Sequence, residues 1–366
     1  MNNLLLVATK DITLKNFFLP LIDEYSKKRI KITIICNDVH NIKFLLNNKN
    51  YQSIRYLDFN FPTKLSQIIN LFVMIKKIFF LRKFLKKEDN NILHLNTPIA
   101  SHMFRIANIF LKNKVIYHVH GFRFHKKGNY FKNLFNFTIE YFLKFLTNEY
   151  ITINIEDKNI VDKFFKKKCY LIKGLGLDFD ILNKFYVSNI DTNNKKIKVG
   201  VIGAYKKEKG YLDIIKLALK VKHNKNIIFE CYGYGNINYY NKLKKKYQLN
   251  NLLFNSYTDD IYDKIKNFNI LIHPSKREGL AVSILESMAL SIPVITTRIR
   301  GCEDLVKDYY NGRLYTPGNI DELYEIILDF ISNRKKFIEY SKISKKIVNE
   351  NYDAKKISKE IVKAVI

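Results

Sequence analysis

Two glutamates, Glu278 and Glu286, stand eight positions apart in HPSKREGLAVSILESMALSIPVI, residues 273–295. A glycine follows the first directly, and the second falls inside an apolar-periodic run. The pattern predicts a strand ending at 273, a loop, and a helix opening near Gly279 or Leu280. The first amides of a helix have no partner within it and its dipole makes that end positive, so the turn can hold an anion without a basic side chain. A carboxylate at the same mouth accepts hydroxyl hydrogen bonds while the amides hold the anion. The dipole alone would also stabilise Glu278 with no ligand present. Glu286, about two turns further on, needs a partner inside an apolar helix, and a vicinal diol is one that suits a carboxylate.

Two other stretches carry residue types able to act. GVIGAYKKEKG, residues 200–210, follows a predicted strand and precedes a predicted helix. A glycine such as Gly203 lets backbone approach a phosphate, and Lys209 at the helix mouth can neutralise one. The spacing is neither G-x-G-x-x-G nor a P-loop, and a plain strand-to-helix turn explains it equally. VIYHVHGFRFH, residues 115–125, places His120 at a strand end, with His118 expected on the opposite face. Read alone, His120 is better explained as a packed histidine; no acid or cysteine triad accompanies the H-x-H for a metal. His94 and His102 read as structural, and Asp304 as a residue at a helix mouth.

These residues need a scaffold, and the pattern supplies one. Short apolar runs at 3–8, 31–36, 92–95, 115–120 and 150–154 alternate with helical patterns at 16–29, 64–87, 99–112 and 130–147. Continuous apolar runs suit a parallel sheet buried on both faces. The alternation restarts at 195–205 and continues through 226–233, 252–256, 269–275 and 293–297. The polar, turn-rich stretch 173–194 lies between. The expected division is residues 1–175, a linker at 176–194, a second domain at 195–345, and a terminal helix at 346–366 returning to the first domain. Two doubly wound α/β domains facing a cleft would bring ligands to the carboxyl ends of their strands.

The 366 residues are 47% hydrophobic and 27% charged, so a core can form and global disorder is excluded. The formal net charge of +29 is concentrated in residues 1–175, with 30 basic residues against 12 acids. An anionic partner fits this: nucleic acid, an acidic membrane face or a phosphorylated substrate; a genomic lysine bias fits it too. Cys36, Cys169, Cys231 and Cys302 have no zinc or disulfide spacing, which suits a reducing cytosol. The start, MNNLLLVATKD, reads as a first buried strand rather than a signal peptide. Residues 66–87 are interrupted by Lys76, Lys77, Arg82 and Lys83, too often for a span. They suit either an interfacial basic helix or a helix packed on the sheet with a solvated edge.

The acid pair in EGLAVSILE resembles the E-x7-E motif of the retaining nucleotide-sugar glycosyltransferases of family 4, which have the GT-B fold. VHGFRFH (119–125), IKGLGLDFDIL, the KG at 209–210 and RIRGCEDLVKDYYNGRLY (298–315) are similar to other segments of that family, in its bacterial capsule, O-antigen and oligosaccharide branch. The resemblance spans nearly the whole chain and is strongest over 195–315. It implies that Glu278 contacts donor-sugar hydroxyls, and that Gly203, Gly279, Leu280 and Ala281 lie on the donor. It further implies that Glu286 holds the ribose, Lys209 neutralises the leaving diphosphate, and His120 reaches the donor sugar from the first domain. Arg123 and His125 would be acceptor-side residues, or plain surface. No metal is implied, and the only co-substrate is the nucleotide-sugar.

The sequence departs from the family at Ala204, where an arginine is usual; Lys206 or Lys207 are the available replacements. The loop ATKDITLKNF lacks the family's glycine pair. The resulting expectation is a retaining hexosyl- or N-acetylhexosaminyltransferase. It would use a UDP-sugar and a lipid-linked bacterial surface glycan, in the cytoplasm at the inner, anionic face of the plasma membrane. Two other classes stand beside it. One is a basic nucleic-acid-binding protein, although no RNP, zinc-finger or helix-turn-helix pattern occurs. The other is a GT-B-fold sugar-nucleotide epimerase.

Overall fold

The computed structural model describes residues 3–28, 30–47, 54–63, 67, 70–87, 91–126, 128–185 and 196–366. The chain divides into two compact units, Met1–Gly176 with Ala354–Ile366, and Leu177–Asp353.

The first unit is built on β1 (Asn3–Lys10), β2 (Lys31–Asn37), β3 (Ile54–Asp58), β4 (Ile92–Leu95), β5 (Lys114–Val119), β6 (Glu149–Thr152) and β7 (Lys168–Leu171). Their order is β3-β2-β1-β4-β5-β6-β7 and every pairing is parallel. Leu4 to Ala8 are all buried, so both faces of β1 are covered, which is why its sequence is a continuous apolar run. The helix expected over 16–29 is instead two, Asp11–Phe17 and Leu19–Ser26. Pro20 starts the second, where a missing N–H costs nothing. The terminal helix Ala354–Val365 packs on Leu19–Ser26. It begins at 354 because the preceding helix, Arg334–Asn351, is committed to the second unit, where it packs on the helix Val282–Ala289.

The basic segment resolves into a helix Leu71–Lys86; Lys64 and residues 65, 66, 68 and 69 lie outside the described residues. Leu81 and Leu85 are buried, whereas Leu71, Phe72, Phe79 and Phe80 are exposed. Arg82 donates to the carbonyls of Ala107 and Ile109 at 3.1 and 2.5 Å, so it caps a neighbouring helix end. Lys77 donates to the carbonyl of Asn60. No helix among the described residues is long and apolar enough to cross a membrane.

The second unit holds β8 (Ile197–Ile202), β9 (Ile227–Tyr232), β10 (Leu252–Asn255), β11 (Ile270–His273), β12 (Val294–Thr297) and β13 (Arg313–Tyr315), in the parallel order β10-β9-β8-β11-β12-β13. The chain winds outward from β8 through β9 to β10, then returns to the other side of β8 with β11. That reversal is the topological switch point, where open α/β sheets bind ligands at the carboxyl ends of their strands. Leu177 joins this unit through a hydrogen bond from its N–H to the Tyr352 carbonyl, 2.8 Å. Of the expected linker, residues 186–194 lie outside the described residues.

Candidate active site

The loops after β8 and β12 both close on the loop after β11 at the switch point, and a glycine allows each approach. Gly210 has φ +73°, and a Cβ there would stand 1.8 Å from the Pro274 carbonyl oxygen. Gly301 has φ +78°, and its Cβ would stand 2.6 Å from the Gly279 carbonyl oxygen. Only glycine combines that backbone with that approach. The Lys276 N–H donates to the Glu208 carbonyl at 2.8 Å, and the Thr296 hydroxyl donates to the His273 carbonyl at 2.9 Å. Three loops are thus tied into one rim.

On this rim the structure brings together Gly203, Lys209 and Glu278. A Cβ on Gly203 would lie 3.8 Å from the Lys209 side chain. Lys209 Nζ donates to Glu278 Oε1 at 2.5 Å, and His273 Nε2 lies 3.0 Å from the same oxygen. His273 Nδ1 lies 3.1 Å from the Ser283 hydroxyl. A carboxylate can only accept, so His273 presents Nε2–H to Glu278, while its Nδ1 is hydrogen-bonded to the Ser283 hydroxyl. Burial would raise the Glu278 carboxyl, but His273 and then Lys209 outweigh it and hold the group at about 2. Glu278 is ionised at neutral pH, and Arg300 fixes its backbone by donating to its carbonyl, 3.1 Å.

The helix expected near Gly279 or Leu280 starts later. Gly279 and Leu280 form a bend, Ala281 is the extended cap, and the helix runs Val282–Ala289. The Gly301 backbone packs closely against the Gly279 carbonyl in this segment. Glu286 therefore sits little more than one turn inside the helix, not two. It is partly exposed by surface area, yet protein atoms crowd it, and this desolvation pushes its carboxyl up to about 7. The Tyr262 hydroxyl opposes the shift with a hydrogen bond of 3.2 Å. Ala204 is buried and Lys206 and Lys207 are exposed. Asp304 accepts from the Gly301 N–H at 2.9 Å in a turn, not at a helix mouth.

His120, Arg123 and His125 occur together on the loop after β5 in the first unit. His118 does not point to the opposite face: its ring stacks on His120 with centroids 4.3 Å apart. Residues two apart share a strand face, since the side-chain period is two. His118 is also 3.3 Å from His94, which meets the Tyr25 hydroxyl at 3.0 Å. His102 pairs with Glu140 at 2.8 Å. Arg123 is exposed, while the His125 backbone is bonded through both N–H and carbonyl to the Asn133 side chain.

Asn96, at the end of β4, sets the state of His120. Its Nδ2 donates to the Val7 and His94 carbonyls, both at 3.2 Å, which leaves Oδ1 facing His120 Nε2 at 3.2 Å. An amide oxygen accepts, so Nε2 carries the proton, and burial lowers the ring to about 4 and keeps it neutral. Nδ1 is then an acceptor. Asn96→Ala is expected to let the ring exchange tautomers, read by nitrogen-15 chemical shifts of His120; an unchanged Nε2–H signature would remove Asn96 from this role. Asn96, His273, Ser283, Arg300 and Tyr262 escaped the sequence reading. For Asn96 and His273 a signal existed: each ends an apolar strand with a polar residue beside the switch point of its sheet.

Residues 184–347 match the family model described as Glycosyl transferases group 1. An uncharacterised glycosyltransferase of Methanocaldococcus jannaschii is 27% identical over 93% of this chain and 92% of its own length. The UDP-Gal:alpha-D-GlcNAc-diphosphoundecaprenol alpha-1,3-galactosyltransferase of Escherichia coli is also 27% identical, over 83% of this chain and 84% of its own. Among solved structures, Anabaena HepE in complex with UDP-glucose aligns with 100% of this chain and 99% of its own at a TM-score of 0.76 and 18% identity. A sucrose-phosphate synthase of Thermosynechococcus elongatus aligns with 100% of this chain and 98% of its own at a TM-score of 0.81 and 13% identity. These structures share the GT-B fold of two parallel-sheet Rossmann-like domains. Over residues 184–347 the chain matches the group 1 glycosyl transferases, its two units have the GT-B fold, and these likenesses together support a glycosyltransferase.

Proposed function

We propose that the chain moves a hexose or N-acetylhexosamine from a UDP-linked donor to a lipid-linked bacterial surface glycan, with the anomeric configuration retained. The observation that carries this is the Lys209–Glu278–His273–Ser283 chain at the switch point of the second unit. Glu278, ionised and held on one edge, accepts sugar hydroxyls. Lys209 turns from Glu278 to the diphosphate as the donor enters, and neutralises the charge that grows as the glycosidic bond breaks. The backbone of Gly203 and of Gly279 to Ala281 lies along the donor, and Glu286 with Tyr262 takes the ribose diol. His120, neutral with Nδ1 as acceptor, receives a sugar hydroxyl. Arg123 and His125 serve the acceptor. Support for the substrate classes comes from the relatives: the Escherichia coli enzyme is named for UDP-galactose and a diphosphoundecaprenol acceptor, and a Staphylococcus aureus relative for capsular polysaccharide biosynthesis.

A screen of nucleotide-sugars against the purified protein, with product mass and anomeric configuration read out, tests the reading. One UDP-sugar is expected to be consumed only when acceptor is present. Conversion of the donor to its epimer without acceptor would establish an epimerase instead. Thermal stabilisation by oligonucleotide but not by UDP would favour the nucleic-acid reading.

The place of action we propose is the cytoplasmic face of the plasma membrane, with the exposed Lys76, Lys83 and Lys86 of the helix Leu71–Lys86 on anionic lipid. Each such residue contributes about 1 kcal/mol near the surface and is screened by salt. Flotation with anionic vesicles is expected to weaken in salt and in the triple Lys→Gln variant. Arg82 is left intact because it caps a helix. Equal flotation with neutral vesicles would show that the charge plays no part.

A further inference from the structure

The helix Tyr130–Leu143 of the first unit turns an aromatic face outward. Tyr130, Phe131 and Phe135 are 71%, 78% and 67% exposed, and Phe142 and the following Phe145 are comparably bare. A helix normally presents polar residues on its solvent side. Contiguous exposed apolar surface of this kind marks an interaction site. The helix is not loose. Its acidic residue, Glu140, is buried and paired with Arg105 at 2.9 Å. Lys144 just beyond it donates to the Phe164 carbonyl at 3.1 Å.

Beside this face lies a cavity of about 590 Å³, walled by Phe124, Tyr130, Leu134, Phe137, Ile160 and Phe164. Its far wall is the helix Ile155–Ile160 and the π turn Val161–Phe165 that continues it. The volume falls within the roughly 300–1,000 Å³ of small-molecule sites. The polar side chains of the lining are largely engaged. Asn133 is bonded twice to the His125 backbone, and Glu156 accepts from the Lys126 N–H at 3.1 Å. Lys126 and Lys163 stand exposed on the rim. An apolar slot with a cationic rim and aromatic flanks complements an amphiphile with a hydrocarbon chain and an anionic head. A free sugar or a peptide backbone would find too few polar partners in these walls.

We propose that this cavity takes the hydrocarbon chain of an anionic lipid, with Lys126 and Lys163 meeting its phosphate and Phe131, Phe135 and Phe142 resting in the lipid interface. The proposal deepens the reading of a lipid-linked acceptor and rests on it for its biological meaning. It also places a second lipid contact apart from the basic helix Leu71–Lys86.

The probe is dodecyl phosphate below its micellar concentration, titrated into the full-length protein by calorimetry with no nucleotide-sugar present. The binding result therefore stands or falls independently of transfer activity. Saturable binding is expected, weakened about tenfold by Leu134→Asp, which puts a charge in the apolar wall at a half-exposed position. The double variant Lys126→Gln with Lys163→Gln is expected to weaken it severalfold, and inorganic phosphate is expected not to compete. Circular dichroism confirms that each variant is folded. Wild-type affinity in Leu134→Asp would overturn the proposal, as would full competition by inorganic phosphate. A wild-type dimer that Leu134→Asp dissociates would also overturn it, because a second copy would then cover the face.

Discussion

Glu278→Gln is expected to reduce sugar transfer by at least about a hundredfold while the protein still folds. The amide keeps the size of the side chain and an oxygen that can accept from Lys209 and His273, but it removes the negative charge. A preorganised charged contact at a reacting centre is worth about 2.7–4 kcal/mol. The same substitution has a separate signature in stability. Glu278 sits at about 2 in the folded protein against an ordinary value of 4.5. A lowered carboxylate contributes stability that is fully present above its unfolded value and is lost as pH falls through the folded one. The melting temperature of Glu278→Gln should therefore lie below wild type above pH about 4.5, and the gap should close toward pH 2. Wild-type turnover in the folded variant would remove Glu278 from the active site; a gap that does not change with pH would contradict the ion-pair network.

Lys209→Ala is expected to lower kcat by about a hundredfold or more, with a smaller change in the apparent affinity for the donor. Charge on the leaving diphosphate grows toward the transition state, so a cation there helps the transition state more than the bound donor. The expected loss is about 2–4 kcal/mol in activation free energy. Lys209 also neutralises Glu278, at 2.5 Å, and the adjoining Gly210 lets the backbone there lie close to Pro274. Two contributions are thus removed together, and the Glu278→Gln background separates them. If Lys209→Ala costs as much there as in wild type, the lysine acts on the donor; if it costs nothing, its role is to hold Glu278. A change confined to donor affinity, with kcat untouched, would make Lys209 a binding residue only.

The strands missing from the sequence reading are informative about what sequence pattern can carry. β3, β7 and β13 are edge strands of their sheets. Ile54–Asp58 and Lys168–Leu171 are alternately covered and exposed or mostly half-covered, so they present no apolar run. Arg313–Tyr315 is buried but has only three residues, one of them charged. Central strands such as Leu4–Ala8 and Ile92–Leu95 are covered on both faces, and their sequences say so directly. The basic run over 64–87 was legible as a charged, apolar helix. Nothing local distinguished Arg82, which caps another helix, from Lys83, which is exposed.

What the sequence alone determined was the alternation of buried strands and helices, its restart near residue 195, and the residue types that follow the strands: Lys209, Glu278 and His120 in the connecting segments and Glu286 in the helix beyond. These are local properties, because solvent exposure on each face of an element is written into its periodicity. The partners were decided by tertiary structure. His273 reaches Glu278, and Ser283 reaches His273, only because the strand end and the helix start fold over the same loop, and Asn96 reaches His120 across 24 residues. Just ahead of the helix start at Val282, Gly279 likewise meets Gly301, a residue 19 positions beyond that start. Charge states followed the same division: Glu278 near 2 and Glu286 near 7 are the same side chain in one short segment, set apart by the partners His273 and Lys209 in one case and by desolvation in the other.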